Sequence, residues 1–171
     1  MSKYKMSIYT RMGDNGFTKT LDLPISKANL RIEAIGSIDE LNSVIGLCYN
    51  TYHLDSKEES KNLDKIQEDL MMICSYLSGG AANIDEKSIE WLENEIDIVE
   101  DKLKVQKEFV KQRGFGCYYH LARTVCRRAE RVLVRLSQEQ SKIKDVILQY
   151  MNRLSDYMFV MARIANSYND F

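Results

Sequence analysis

The sequence predicts an all-α fold, an up-and-down helical bundle. Three observations predict it. The 171 residues include one proline and eight glycines, and so few helix breakers favour long helices over a turn-rich β fold. Apolar residues recur at three-to-four spacing over long stretches. The connectors between those stretches are short, which makes successive helices antiparallel neighbours.

The first helix is expected from about Asn29 to Tyr52, with Ile32, Ile35, Ile38, Leu41, Val44, Ile45 and Cys48 on one side. The second starts after Ser56, where Ser56-Lys57-Glu58-Glu59 fits a capping box. Its stripe is Leu63, Ile66, Leu70, Ile73 and Leu77, and Gly79-Gly80 supplies the stop. The third runs from about Glu86 to Val105, with Ile89, Leu92, Ile96, Val99 and Leu103 inward. A break around Phe109 to Gly116 precedes a fourth helix over Cys117–Gln138. The last covers Lys142 to about Tyr168, with Ile147, Met151, Leu154, Met158, Met161 and Ala165 inward. Ser137–Ser141 reads equally as a tight turn or a kink. One domain is expected over 1–171, a non-helical segment at 1–28 followed by the bundle at 29–171.

Composition excludes several classes. Hydrophobic residues at 44% and charged residues at 29% suit a globular chain rather than a disordered one. A net charge of −1 gives no bulk attraction to nucleic acid or an anionic membrane. No run of about 18 apolar residues is present, so no transmembrane helix is expected. Met1-Ser2-Lys3-Tyr4-Lys5-Met6 lacks the apolar region of a signal peptide, and a cytoplasmic location is expected. The four cysteines form no Cys-x-x-Cys pair, and neither His53 nor His120 follows a glutamate by three positions. A protein-built zinc or iron site is therefore not expected.

Four places concentrate polar chemistry. Thr10-Arg11-Met12-Gly13-Asp14-Asn15-Gly16-Phe17-Thr18-Lys19-Thr20 combines glycines, hydroxyls and cations. Glycines let backbone amides turn toward an anion, so the segment reads as a phosphate cradle or as a polar surface loop. Arg123, Arg127 and Glu130 share one face of the fourth helix at i, i+4 and i+7. That cluster suits a polyphosphate, with the acid orienting an arginine fork, or forms a solvated ion-pair face. On the last helix Asn152, Asp156, Phe159 and Arg163 share a face, and the first helix carries Asp39 and Asn42. Asn and Asp are poor interior helix formers, so they mark specific contacts or a polar face.

Arg11-Met12-Gly13-Asp14-Asn15-Gly16-Phe17-Thr18, the Ile35–Ser43 stretch, Leu63–Leu77, Ala122–Arg131 and Asn152-Arg153-Leu154-Ser155-Asp156-Tyr157 together resemble the ATP:cob(I)alamin adenosyltransferases of the PduO type. Their order and separation match across nearly the whole chain. The resemblance implies a five-helix bundle assembling as a homotrimer, with active sites between subunits. It implies transfer of the 5′-deoxyadenosyl group of ATP to the cobalt of cob(I)alamin, with release of tripolyphosphate. The alternative is a non-catalytic relative that binds a nucleotide or corrinoid as a regulator or carrier. A corrinoid reductase or an adenosylcobalamin-dependent enzyme is an expected partner.

By the same resemblance Thr10, Arg11, Gly13, Asp14, Gly16 and Thr18 wrap the triphosphate, with Lys27 and Arg31 adding cations. Arg123, Arg127, Glu130 and Asn152 match nucleotide-site residues. Asp39 matches an aspartate pairing across the subunit interface with the arginine matched by Arg123. Phe109 matches the phenylalanine that displaces the lower axial ligand of the corrin. Magnesium would ride on the phosphates of ATP. The chain departs from the family pattern at Lys111–His120, where a Leu-Pro-Gly-Gly turn is replaced by bulkier residues. Phe115 in that segment competes with Phe109 for the axial-ligand role. Met12 and Phe17 also replace smaller or polar residues.

Overall fold

The computed structural model describes residues 9–21, 24–49, 57–105 and 112–167. A two-stranded antiparallel hairpin, β1 (Phe17–Lys19) and β2 (Pro24–Ser26), precedes five helices: α1 (Leu30–Cys48), α2 (Lys57–Leu77), α3 (Glu86–Glu100), α4 (Gly116–Glu139) and α5 (Asp145–Ser167). Thr18 pairs with Ile25 at the centre of the hairpin. The all-α expectation holds for the bundle and omits this hairpin. Three-residue strands are too short to show a period-two pattern.

α4 packs against α5 and α1, α3 against α5, and α2 against α1. Asn62 on α2 donates to Glu95 on α3 at 2.6 Å and joins the two ends of that series. The core follows the expected stripes. Leu63, Ile66, Leu70, Ile73 and Leu77 are all buried, as are Ile147, Met151, Leu154, Met158, Met161 and Ala165. On α1, Leu30 and Ala34 join Ile38, Leu41, Ile45 and Cys48 inside, whereas Ile35 and Val44 are only partly buried. α5 is covered on most sides, with Tyr150, Tyr157 and Val160 also buried.

The helix ends show local chemistry at work. Asn29 accepts from the Arg31 amide at 2.8 Å and caps α1. Asp85 caps α3 through the Lys87 amide. α2 ends in a Schellman motif: Gly79 has φ +95, its amide bonds Tyr76 O, and the Gly80 amide bonds Ser75 O. Ser56, the expected cap of α2, lies outside the described residues. α3 stops at Glu100 rather than near Val105, because the Asp101 and Lys102 amides close a turn onto Asp97 O and Val99 O. The Ser137–Ser141 junction is a turn rather than a kink: α4 runs to Glu139 and α5 starts at Asp145, not Lys142. The Gln140 and Ser141 amides both reach Leu136 O, and Ser137 Oγ accepts from the Ile143 amide.

α4 has no side-chain cap from its own N-terminal residue. Asn166, near the end of α5, supplies it by accepting from the Gly116 amide at 2.9 Å. A Cβ at Gly116 would stand 2.4 Å from Ala162 O, so only glycine permits this approach of α4 to α5. Salt bridges set the register of α1 against α4. Glu33 faces Arg135, and Glu40 faces Arg128 seven residues further along α1 and seven back along α4.

Candidate functional site

The N-terminal segment forms a tight turn ahead of β1. Arg11 adopts φ +61 and Gly16 φ +82. The Asp14 amide bonds Arg11 O and the Gly16 amide bonds Gly13 O. A non-glycine residue in the left-handed region is strained and is common at ligand-holding turns. The Lys27 amide donates to Gly16 O at 2.9 Å, and its Nζ stands 3.1 Å from where a Gly13 Cβ would lie. Thr10 Oγ1 accepts from the Met12 amide, and the Arg11 guanidinium lies 5.6 Å from the Tyr9 ring centre. Thr18 sits mid-strand in β1. Arg31, in the first turn of α1, donates to Ser141 Oγ at 3.3 Å. The segment therefore holds Lys27 over the Gly13–Gly16 turn that Arg11 begins. The Leu21 amide ties it to Ser78 O at the end of α2.

The second group lies in the seam between α4 and α5. Arg127 donates to Ser155 Oγ at 3.4 Å, and Asn152 Nδ2 donates to Glu130 Oε1 at 3.4 Å. Arg153 donates to Asn152 Oδ1 at 3.2 Å, which orients the amide. Arg123, Arg127, Glu130 and Asn152 are thus brought together. Arg123 Nε is buried and without a hydrogen-bond partner among the described residues. This set presents cations, an acceptor and an amide along about two turns of the seam. That combination binds phosphate and nucleoside groups.

The α5 face read from spacing divides. Asn152 turns to α4, whereas Asp156 pairs with Arg153 at 2.9 Å and Arg163 donates to Lys104 O at 2.7 Å. Asp156 and Phe159 instead line an open groove between α3 and α5 of about 490 Å³, with Glu93, Ile96 and Val160. Sequence reasoning missed Ser155, Arg153 and His120. Ser155 is a buried polar residue inside the Asn152–Tyr157 block, and its burial is a tertiary property.

The two groups stand apart within one chain. Arg31 touches the α4–α5 turn, and Arg127 lies about 18 Å back along α4 from Glu139 at 1.5 Å per residue. Asp39 is exposed on α1. By the α1–α4 register it lies opposite Ala129, about 9 Å along the axis from Arg123. Phe109 lies outside the described residues. Phe115 is half-buried immediately before α4.

The fold is a five-helix bundle behind a short hairpin, with cationic side chains in the N-terminal turn and in the α4–α5 seam. Residues 8–165 match the cobalamin adenosyltransferase family, and the chain belongs to it. The chain is 35% identical to the corrinoid adenosyltransferase of Bacillus subtilis, over 95% of this chain and 88% of that protein. It is 38% identical to the cobalamin adenosyltransferase of Cupriavidus metallidurans, over 93% and 88% of the two. Among solved structures, a variant PduO-type ATP:corrinoid adenosyltransferase from Lactobacillus reuteri complexed with cobalamin and ATP superposes with a TM-score of 0.87. It is 32% identical and covers 95% of each chain. A second variant of that enzyme, complexed with ATP, gives the same TM-score at 34% identity and the same coverage.

Proposed function

We infer that this chain is an ATP-dependent corrinoid adenosyltransferase that moves the 5′-deoxyadenosyl group of ATP to the cobalt of cob(I)alamin. The observation that carries the reading is the seam in which Arg127, Glu130 and Asn152 meet, in a chain matching the family over residues 8–165. Cobalt(I) attacks C5′, a cobalt–carbon bond forms, and the C5′–oxygen bond breaks with its electron pair leaving on tripolyphosphate. The nucleophile comes with the substrate, so the protein supplies no Ser, Cys or Lys for attack. Its work is to hold C5′ in line with cobalt and to stabilise the departing charge.

Arg11, Lys27 and Arg31, with the turn built on Gly13 and Gly16, suit the triphosphate. Arg123, Arg127, Glu130 and Asn152 suit the remaining nucleotide contacts. Magnesium enters with the nucleotide, as a hard cation held by phosphate oxygens.

The active site is completed between two copies of the chain, in a homotrimer. Three observations support this: the axial separation of the two groups, the exposed Asp39, and the buried Arg123 Nε without a partner among the described residues. The neighbour's Asp39 would meet Arg123 there. Asp39→Arg should convert the trimer to monomers in light scattering and abolish turnover. A monomeric wild-type chain with full activity would overturn the shared site.

The direct test is anaerobic adenosylation with ATP, magnesium and cob(I)alamin, followed by the corrinoid absorbance change. Formation of adenosylcobalamin is expected. ATP binding without turnover would replace this reading with the regulator or carrier alternative.

A further inference from the structure

The seam between α4 and α5 is a ladder of polar rungs. Glu130 meets Asn152, Arg127 meets Ser155, and Gly116 meets Asn166. Gly116, His120, Arg123, Arg127 and Glu130 follow one another at alternating spacings of four and three, so all share one face of α4. Between the paired rungs, His120 and Arg123 stand open. His120 is 3% exposed, and neither ring nitrogen has a hydrogen-bond partner among the described residues. Buried polar groups are almost always paired, and each exception in a folded core calls for an explanation. His120 is none of the residues assigned to the nucleotide.

Its surroundings limit what it can bind. Burial, and then the Arg123 cation one turn away, hold the imidazole below its usual pKa, so the ring is neutral. A neutral imidazole presents one N–H donor and one bare acceptor nitrogen. That pair suits a neutral group that both donates and accepts. A carboxamide has that character. A phosphate does not, because the bare nitrogen would face an anion without a proton between them.

In-line displacement places the attacking and leaving groups on opposite sides of C5′. With the Arg127–Glu130 part of the seam given to the nucleotide, the His120 end is left for the corrinoid. Phe159 stands there. Its ring centre lies 6.2 Å from that of His120 and it lines the α3–α5 groove with Ile96 and Val160. The groove is far too small for a whole corrinoid and is sized for an edge carrying one side chain. Phe159 is half-buried and lies between the groove it lines and the imidazole.

We propose that His120 is a corrinoid-binding residue whose imidazole pairs with a peripheral carboxamide of the corrin ring. This rests on the adenosyltransferase reading and adds a named contact that sets corrinoid specificity. Cob(I)alamin would be preferred over a corrinoid whose peripheral amides are replaced by methyl esters, since an ester lacks the N–H that the bare nitrogen needs.

The test compares both corrinoids in wild type, His120→Phe and His120→Gln. Loss of the pair and stranding of its partner should raise the KM for cob(I)alamin about tenfold in His120→Phe, with the KM for ATP within about twofold. The amide-over-ester preference should vanish in His120→Phe and survive in His120→Gln, whose amide still donates and accepts. Equal shifts in both KM values, or a preference unchanged in His120→Phe, would overturn the proposal.

A second measurement needs no variant. The chain has two histidines, so the ring nitrogens of His120 are readily resolved by NMR in ¹⁵N-histidine-labelled protein. Diamagnetic cob(III)alamin added with ATP should move them, and an unmoved signal at saturating corrinoid would refute the contact. Failure of wild type to turn over cob(I)alamin would sink the adenosyltransferase reading itself. Turnover without amide discrimination or a His120 shift would sink only the His120 contact.

Discussion

Asn152 on α5 donates through Nδ2 to Glu130 Oε1 on α4, and Arg153 holds the other end of the same amide through Asn152 Oδ1. The amide is therefore fixed at both ends before any ligand arrives. Glu130 and Asn152 should act as a unit. In a double-mutant cycle for ATP affinity, Glu130→Ala and Asn152→Ala are expected to be non-additive by about 0.5–3 kcal/mol. Additive effects in calorimetric titrations would show that the two side chains serve the nucleotide independently.

Arg127 is exposed apart from its bond to Ser155. Arg127→Ala should lower turnover at least tenfold, because lost charge-assisted hydrogen bonds cost about 1.5–3 kcal/mol. Thermal stability should change little, as expected for a surface substitution. An unchanged rate in a folded variant would remove Arg127 from the site.

Gly116 and Asn166 join the start of α4 to the end of α5. Gly116→Ala places a methyl 2.4 Å from Ala162 O and should cost about 1–3 kcal/mol through overpacking. Asn166→Ala removes the cap and should cost about 1 kcal/mol. Denaturant melts monitored by circular dichroism would measure both. A Gly116→Ala variant as stable as wild type would mean that the two helices separate freely here.

His120 gives the stability an acid-side dependence. Its folded pKa lies below the ordinary value of 6.5, from burial and from Arg123. As pH falls below about 6.5 the unfolded chain takes up the proton first, so stability drops until the folded form is protonated too. Between pH 7 and pH 5.5 wild type should lose more stability than His120→Gln. Parallel losses in melts of the two proteins would show that His120 does not contribute.

The thiols should react in order of exposure. Cys117 is exposed, whereas Cys48 and Cys126 are buried. Burial raises the Cys48 thiol to about 12 and that of Cys74 to about 11, with Asp39 adding to the latter. A thiol reagent at pH 8 should modify one cysteine per native chain quickly and four after denaturation. Fast modification of Cys126 in the native protein would show that the α4–α5 seam opens.

Much of this molecule was legible in its residues. The stripes of α2 and α5 were readable because helical periodicity is local and burial follows it, as Leu63–Leu77 and Ile147–Ala165 show. Gly79-Gly80 marked the end of α2 because only a residue tolerant of positive φ closes a Schellman turn. The grouping of Arg123, Arg127 and Glu130 also followed from spacing within one helix. The tertiary structure decided what depends on two elements meeting. It paired Asn152 with α4 and turned Asp156 toward α3, although both lie on the α5 face read from spacing. It made Asn166 the cap of a helix that begins fifty residues earlier. It left His120 buried and unpaired among the described residues, because hydrogen-bond satisfaction is a property of the neighbours that packing supplies and no local pattern encodes them.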